Sequence, residues 1–355
     1  MLQTSHRLPP MIAAQRRDQP PLLRRLLAGD DLSRGDAADF IGAVMDARYT
    51  PAQAAGLLVA LAAKGESVDE IVGAARAMRE RSLRVEHGFP MVVDVVGTGG
   101  DHANTINIST MAALVVAAAG IPVAKHGNRA ASSACGSADV LEASGLPLEL
   151  SPRVAATMLR RSDFTFMFAP HYHPAMRNVA PVRRELGIRT IFNLLGPLSN
   201  PAGATHLVVG VAHASLVVRI GNALRALGAR RGAVIHGCNG VDEVVGDAPT
   251  LVYSFDELQA HVWELDPSAY GVRVPLSAVV AGSMQACHDA FLSVLGGESS
   301  QAATLVALNA AIVLHAIGVE ARLEHAFDCA REILENGAAL KTLQRAKAVA
   351  AEIPQ

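Results

Sequence analysis

Cysteine is scarce in this chain, with four in 355 residues, and neither charge sign is in surplus. Cys135, Cys238, Cys287 and Cys329 lie far apart, which excludes a close-spaced zinc motif and a small disulfide scaffold. Reduced thiols in a cytoplasmic protein fit that spacing. Lys plus Arg total 31 against 33 for Asp plus Glu. Without a net basic field nothing draws in a polyanionic backbone, so nucleic acid is not an expected partner. Long hydrophobic runs are missing too: the longest, residues 111–124, is broken by Gly120 and Pro122 and is too short for a bilayer. No membrane span is expected. Residues 1–20 carry Arg7, Arg16, Arg17 and three prolines but no continuous apolar stretch of the secretory kind, and 1–19 read as a flexible tail. There is no repeat of solenoid length and no low-complexity linker.

What is abundant is apolar side chain, at half of all residues, enough to bury a sizeable core. The length implies a large unit plus a smaller one. From 20 to about 82 the signals are helical. Ser33 precedes a helix with Asp36 in its first turn, Thr50-Pro51-Ala52-Gln53 combines an N-cap, a first-turn proline and a capping-box glutamine, Gly65 ends that helix, and Ser67-Val68-Asp69-Glu70 opens the next. These helices carry few catalytic groups and read as a packing or subunit-contact domain over 20–88. At Met91 short β-rich runs begin, at 92–96, 121–124, 164–168, 206–211 and 233–236, separated by helical stretches at 108–119, 174–186 and 215–227. That alternation predicts an α/β domain over 89–355 with a mainly parallel sheet, and its C-terminal 70 residues return to helix. Polar residues after the strand ends should converge on one sheet edge, where open α/β folds bind ligands.

Four clusters follow such strand ends. Asp94-Val95-Val96-Gly97-Thr98-Gly99-Gly100-Asp101 leads through Asn104-Thr105-Ile106-Asn107-Ile108-Ser109-Thr110 into a helix. Glycines let backbone N–H groups approach phosphate, and a helix N-terminus adds donors and positive potential. Neither the dinucleotide fingerprint nor the Walker loop is present, and a tight βα turn is the alternative reading. Lys125-His126-Gly127-Asn128-Arg129 offers a point charge for phosphate and, in Asn128, a donor and acceptor for a planar substrate. The run 166–177, with His171, His173 and Arg177, continues to Arg183 and Arg184 and suits an apolar slot with a cationic carboxylate clamp. A metal site on His171 and His173 is the alternative, although no third ligand follows at a recognisable spacing. Last, Asp242 and Glu243 sit in a loop, where adjacent carboxylates can both reach Mg²⁺. The alternative is a solvated acidic pair.

Taken together these segments closely resemble the anthranilate phosphoribosyltransferases. Gly97-Thr98-Gly99-Gly100-Asp101, Asn107-Ile108-Ser109-Thr110, Lys125-His126-Gly127-Asn128-Arg129, Gly136-Ser137-Ala138-Asp139-Val140-Leu141-Glu142, His173-Pro174-Ala175-Met176-Arg177 and Arg189-Thr190-Ile191-Phe192-Asn193-Leu194-Leu195-Gly196-Pro197-Leu198 look like that family's motifs, in order, over about 20–345. The resemblance implies a small helical domain, with a contribution from about 180–205, and a larger α/β domain of the nucleoside phosphorylase/phosphoribosyltransferase type. It implies a homodimer through the helical domain, a ligand site between the domains, and a step of tryptophan biosynthesis. Gly97, Gly99, Gly100, Asp101, Thr105, Asn107, Ser109, Thr110, Lys125, Asn128 and Ser137 would bind phosphoribosyl diphosphate. Ser109, Asp242 and Glu243 would hold Mg²⁺, directly or through water. Gly97, His126, Asn128, His173, Arg177, Arg183 and Gly196 would line the anthranilate channel, with Arg183 facing the carboxylate. No covalent nucleophile or strong base is implied.

The chain departs from the family pattern at His102, where glycine is common, at Cys135, where serine is more frequent, and at Cys287-His288-Asp289, where an Asn-Ala pair is usual, so that the packing of that helix is the point to check. Two rival readings share the scaffold: a pyrimidine nucleoside phosphorylase, whose lysine, serine and arginine motif is not visible, and a non-catalytic nucleic-acid-binding relative.

Overall fold

A computed structural model describes residues 21–101, 103–130 and 134–353. The tail at 1–19 and the His102 departure lie outside the described residues.

Four helices open the fold: α1 (Pro21–Leu27), α2 (Arg34–Met45), α3 (Pro51–Lys64) and α4 (Val68–Glu80). The starts of α2, α3 and α4 are set by side chains. Ser33 accepts the Asp36 N–H, Thr50 and Gln53 form a capping box behind Pro51, and Ser67 and Glu70 form another. Each such cap satisfies backbone donors that the helix itself leaves unpaired. Glu70 is fully buried and also accepts the Leu32 N–H at 2.9 Å and the Lys64 ammonium at 2.9 Å, tying α3, α4 and the α1–α2 turn together.

The α/β unit follows with β1 (Val93–Gly97), α5 (Ile108–Ala118), β2 (Val123–Gly127), α6 (Ser137–Ala143), α7 (Pro152–Ser162) and β3 (Phe164–Phe168). Next come the short α8 (Ala169–Tyr172), α9 (Ala180–Leu186) and α10 (Phe192–Leu195), then β4 (His206–Gly210), α11 (Val217–Ala226), β5 (Arg231–Gly237), β6 (Thr250–Phe255) and β7 (Ala260–Leu265). Four helices close the chain: α12 (Met284–Leu295), α13 (Gln301–Ala316), α14 (Leu323–Glu335) and α15 (Ala338–Glu352). One seven-stranded sheet runs β3-β2-β1-β4-β5-β6-β7. The first five strands are parallel and almost wholly buried; β6 and β7 are antiparallel additions to one edge. Parallel strands covered on both faces read as continuous apolar runs, hence the legibility of β1 to β5.

Two expectations change. Residues 174–186 are not one helix: a 3-10 turn at Pro174–Asn178 precedes α9, because Pro174 and Pro181 each lack the N–H a continuous helix needs. The β6–β7 pair was not expected from the sequence. It follows an alternating pattern, with Val252 buried and the edge residue Val262 half exposed. The helix holding Cys287-His288-Asp289 packs normally: Cys287 is fully buried and α12 lies against α6. In space, α9 packs on α3 and α10 on α4, so the 180–195 segment leans on the helical bundle.

Candidate functional site

From β1 the chain steps outward to β2 and β3 on one side, then crosses back from β3 to β4 on the other side of β1, so the sheet changes winding direction between β1 and β4. In open α/β sheets the crevice beyond the strand ends at such a point is where ligands bind. A cavity of about 1170 Å³ occupies it.

The first wall is the turn after β1. Gly99 and Gly100 have φ of 60° and 80°, the left-handed region that favours glycine. Thr98 N–H donates to the Gly210 carbonyl at 2.9 Å, and Gly99 N–H donates to the Asp242 carboxylate at 2.8 Å. From the other side the Arg189 guanidinium donates to the Gly99 carbonyl at 2.9 Å.

The loop after β5 folds back over the ends of β1 and β4. A Cβ at Gly210 would stand 1.7 Å from the Asp242 carbonyl oxygen, so the approach is open only to glycine. Buried Asn309 on α13 pins the loop by accepting the Val244 N–H at 3.0 Å and donating to the Val244 carbonyl at 2.9 Å. Glu243 is thereby held at the N-terminus of α5, accepting the Ser109 N–H at 3.3 Å and the Thr105 hydroxyl at 3.2 Å. Burial and neighbouring Asp101 push the Asp242 carboxyl up to about 7, and burial, Asp242 and Asp101 push Glu243 well above the carboxylate range. Adjacent buried carboxylates such as Asp242 and Glu243 resist ionising together.

Lys125 is buried in the middle of β2, its ammonium on the Val95 carbonyl and 3.3 Å from the Ser109 hydroxyl. Burial lowers it to about 8 against the pull of Asp94, Glu243 and Asp242. The next residue, His126, is oriented from two sides. Its backbone N–H donates to buried Asp94 at 3.1 Å, and its Nδ1 lies 3.1 Å from the Gly196 carbonyl. A carbonyl can only accept, which assigns the proton to Nδ1 and leaves Nε2 as a lone-pair acceptor.

His173 lies 5.0 Å from the His126 ring, and neither of its nitrogens nor His126 Nε2 has a hydrogen-bond partner in the described residues. Buried polar atoms without partners in a cavity wall mark where a polar ligand belongs. Burial lowers His126 to about 4 and His173 to about 3. Both rings should therefore stay neutral when pH falls from 7 to 5. In an NMR titration their ring resonances should not move over that range, whereas a free imidazole titrates near 6.5. A midpoint above 6 for either ring would contradict this environment.

The remaining wall is cationic and apolar. Arg183 is half-buried with its guanidinium 6.0 Å from the Phe192 ring centre, and burial and Arg189 push it below the usual guanidinium value. Arg177 is exposed and donates to the Pro174 carbonyl at 2.9 Å. Across the mouth, Arg129 sits over Phe168 at 5.6 Å and pairs with Asp139 and Glu142. Asn128 is exposed, and its carbonyl accepts the Ser137 hydroxyl at 3.3 Å.

Gly97, Gly99, Gly100, Asp101, Thr105, Asn107, Ser109, Lys125, His126, Asn128, Ser137, His173, Arg177, Arg183, Gly196, Asp242 and Glu243 all line this one cavity. Thr110 does not: it is fully buried, its hydroxyl 3.5 Å from the Asn107 side-chain oxygen. Successive helix residues point about 100° apart, so Ser109 and Thr110 cannot both face the crevice. The His173 ring lies beside that of His126, tilted by 55°, while the His171 ring meets Tyr172 edge-on. Sequence reasoning singled out neither Arg189 nor Asn309 as a site residue, nor the Asp94 carboxylate beneath His126.

Two family models match the chain, the glycosyl transferase family helical bundle domain over residues 20–82 and the glycosyl transferase family a/b domain over residues 90–340. The anthranilate phosphoribosyltransferase of Symbiobacterium thermophilum is 44% identical over 325 residues, 91% of this chain and 95% of the relative. The solved anthranilate phosphoribosyltransferase of Thermus thermophilus superposes with a TM-score of 0.87 at 43% identity, covering 93% of this chain and 99% of that one. The Saccharomyces cerevisiae enzyme, solved in complex with PRPP and Mg, superposes with a TM-score of 0.86 at 25% identity, covering 94% and 97%.

Proposed function

The chain belongs to the anthranilate phosphoribosyltransferase family, and from that premise we infer that it moves the 5-phosphoribosyl group of phosphoribosyl diphosphate onto the amino group of anthranilate, releasing diphosphate. The observation that carries the reading for this chain is the division of a single cavity into two chemistries. One part holds the glycine turn, Lys125 and the Asp242–Glu243 carboxylates; the other holds two neutral histidines with Arg177 and Arg183.

At the first end the donor set fits Mg²⁺. Asp242 and Glu243 offer hard oxygens whose raised proton affinity a cation relieves, and Ser109 stands beside them. No three acidic, cysteine or imidazole groups converge into a cage among the described residues. Mg²⁺ needs none, since it keeps waters and shares substrate phosphates. When bound it would neutralise charge on the leaving diphosphate oxygens. The turn N–H groups and Lys125 would cradle the same diphosphate, a preorganised electrostatic contribution rather than a covalent one.

At the second end Arg183 would face the anthranilate carboxylate, with Arg177, Gly196 and Asn128 along the channel. The free lone pair on His126 Nε2 can accept an amine N–H and so hold the amine toward the ribose C1. An aryl amine is already neutral at pH 7, so this group orients the nucleophile without deprotonating it, and positioning supplies the second contribution. Arg183→Ala is expected to raise the anthranilate KM by about one to two orders of magnitude, the loss of a charge-assisted pair. A change confined to the donor KM would displace Arg183 from this role.

The reaction itself is tested by the fall of anthranilate fluorescence on mixing protein, Mg²⁺ and phosphoribosyl diphosphate, with each omitted in turn. Phosphorolysis of thymidine or uridine in place of that fall would favour the nucleoside phosphorylase reading. A homodimer through the helical unit is part of the proposal, supported by Leu23, Leu27 and Val59 exposed on α1 and α3. Light scattering should return twice the 37.1 kDa chain mass. The domain limits at 20–88 and 89–355 belong to the same reading. So does a cytoplasmic location, since a charged sugar diphosphate does not enter a bilayer unaided. No helix of the described residues is long and apolar enough to cross a membrane.

A further inference from the structure

Two of the positions at which this chain departs from the family pattern, Cys135 and Cys287, are distant in sequence and adjacent in space. Cys135 lies between β2 and α6 and lines the cavity; Cys287 is fully buried on α12. The two thiols face each other at hydrogen-bonding distance. Asn107, the residue before the first turn of α5, joins them: its side-chain amide donates to the Cys135 carbonyl at 3.1 Å and lies 3.3 Å from Cys135 Sγ and 3.5 Å from Cys287 Sγ. Asn107 also lines the cavity, two residues from Ser109.

We propose that Cys135 and Cys287 form an oxidisable thiol pair, a modification site in the cavity wall whose closure to a disulfide shifts Asn107 and disables the diphosphate end of the cleft. The chemistry requires a thiolate, and the pair favours one: donation from the Cys135 thiol and the Asn107 amide holds the Cys287 thiol below its ordinary value. Cys135 is the member that a solute in the cavity meets first; the contact with Cys287 and burial hold its own thiol well above the ordinary value, so Cys287 takes up its proton as Cys135 Sγ attacks.

The oxidant is a low-molecular-weight disulfide. Cys135 Sγ attacks one of its sulfurs, expelling the first small thiolate, which takes up the proton from Cys287. The Cys287 thiolate then attacks Cys135 Sγ in the mixed disulfide and expels the second. Two protein thiols lose two electrons and two protons, and one small disulfide becomes two small thiols. The new bond is about 2 Å long, shorter than the thiol contact it replaces. Closing that gap moves the Cys135 and Cys287 side chains, and the Asn107 amide that now reaches both sulfurs moves with them.

The effect on turnover rests on the reading of this cavity as the phosphoribosyl diphosphate site; the cross-link does not. Reduced full-length protein would be incubated with oxidised glutathione, digested without reductant and mapped by mass spectrometry, with transfer to anthranilate assayed in parallel. Cys287→Ser and a Cys238→Ser/Cys329→Ser double variant would each be compared with its own reduced form. A peptide linking Cys135 to Cys287 is expected, with a tenfold or greater loss of activity that dithiothreitol restores. That loss should be absent in Cys287→Ser and retained in the double variant. Modification of exposed Cys238 without the 135–287 link overturns the proposal, as does an equal loss in Cys287→Ser or a link that leaves activity unchanged. Absence of transfer even in the reduced protein would instead count against the functional reading, and the mapped link would still decide the thiol pair.

Discussion

Replacing Asp242 by asparagine and Glu243 by glutamine together is expected to lower kcat by roughly 10²-fold or more while raising the thermal midpoint. The amides keep the acceptors that Gly99, Ser109 and Thr105 now use, so the turn and the start of α5 stay in place. What they remove is charge. Both carboxyls have folded-state proton affinities above their unfolded values. Such groups cost stability progressively as pH rises past the unfolded pKa, and at pH 8 the penalty from Asp242 is nearly complete. Neutral amides release it. Opposite movements of activity and stability are what a site held in electrostatic tension for a cation should give. Unchanged kcat would remove the metal role from these two residues, and a fall in the midpoint would mean that the pair serves the fold.

The second large effect is expected at Lys125. Lys125→Met keeps the volume of a buried, unbranched side chain and deletes its charge. The kcat/KM for phosphoribosyl diphosphate should drop by about 10²- to 10³-fold, the range seen when one preorganised electrostatic donor is lost. The anthranilate KM should change little, because Arg177, Arg183 and the two histidines, not Lys125, are assigned to that substrate. Asp94 is the neighbour to control for. It is fully buried, and burial already lifts it to about 6 although Lys125, Asn200 and the His126 N–H pull it down. Adding Asp94→Asn to Lys125→Met should recover part of any lost stability without recovering kcat/KM. Recovery of activity in the double variant would mean that the lysine only balances Asp94.

Much of this architecture can be read from the chain itself. The limits of β3 agree at both ends with the apolar aromatic run 164–168, because a strand buried on both faces has no reason to alternate. The starts of α3 and α4 follow from capping boxes, which are local and so need no tertiary information. The glycine turn, Lys125 and the Asp242–Glu243 loop could be brought to one edge because parallel strands deliver their C-terminal ends there.

What stayed hidden depends on approach between distant segments. Arg189 reaches the Gly99 carbonyl only because the 180–195 segment, packed on the helical bundle, brings it beside the turn after β1, and no local pattern announces that. Asn309 sits mid-helix in an apolar stretch and reads as an isolated polar residue until the Val244 backbone is found against it. Thr110 shows the reverse failure: a residue beside a good candidate shares its chemistry but not its direction. The meeting of Cys135 with Cys287 is of the first kind, visible as two separate departures and meaningful only once α12 is packed.

The most direct test is a crystal structure of the protein with phosphoribosyl diphosphate and Mg²⁺. The diphosphate should lie against the turn at 97–101 within reach of Lys125, with the cation between it and the Asp242–Glu243 side. A diphosphate bound instead among His126, His173 and Arg183, with the glycine turn left bare, would contradict the account.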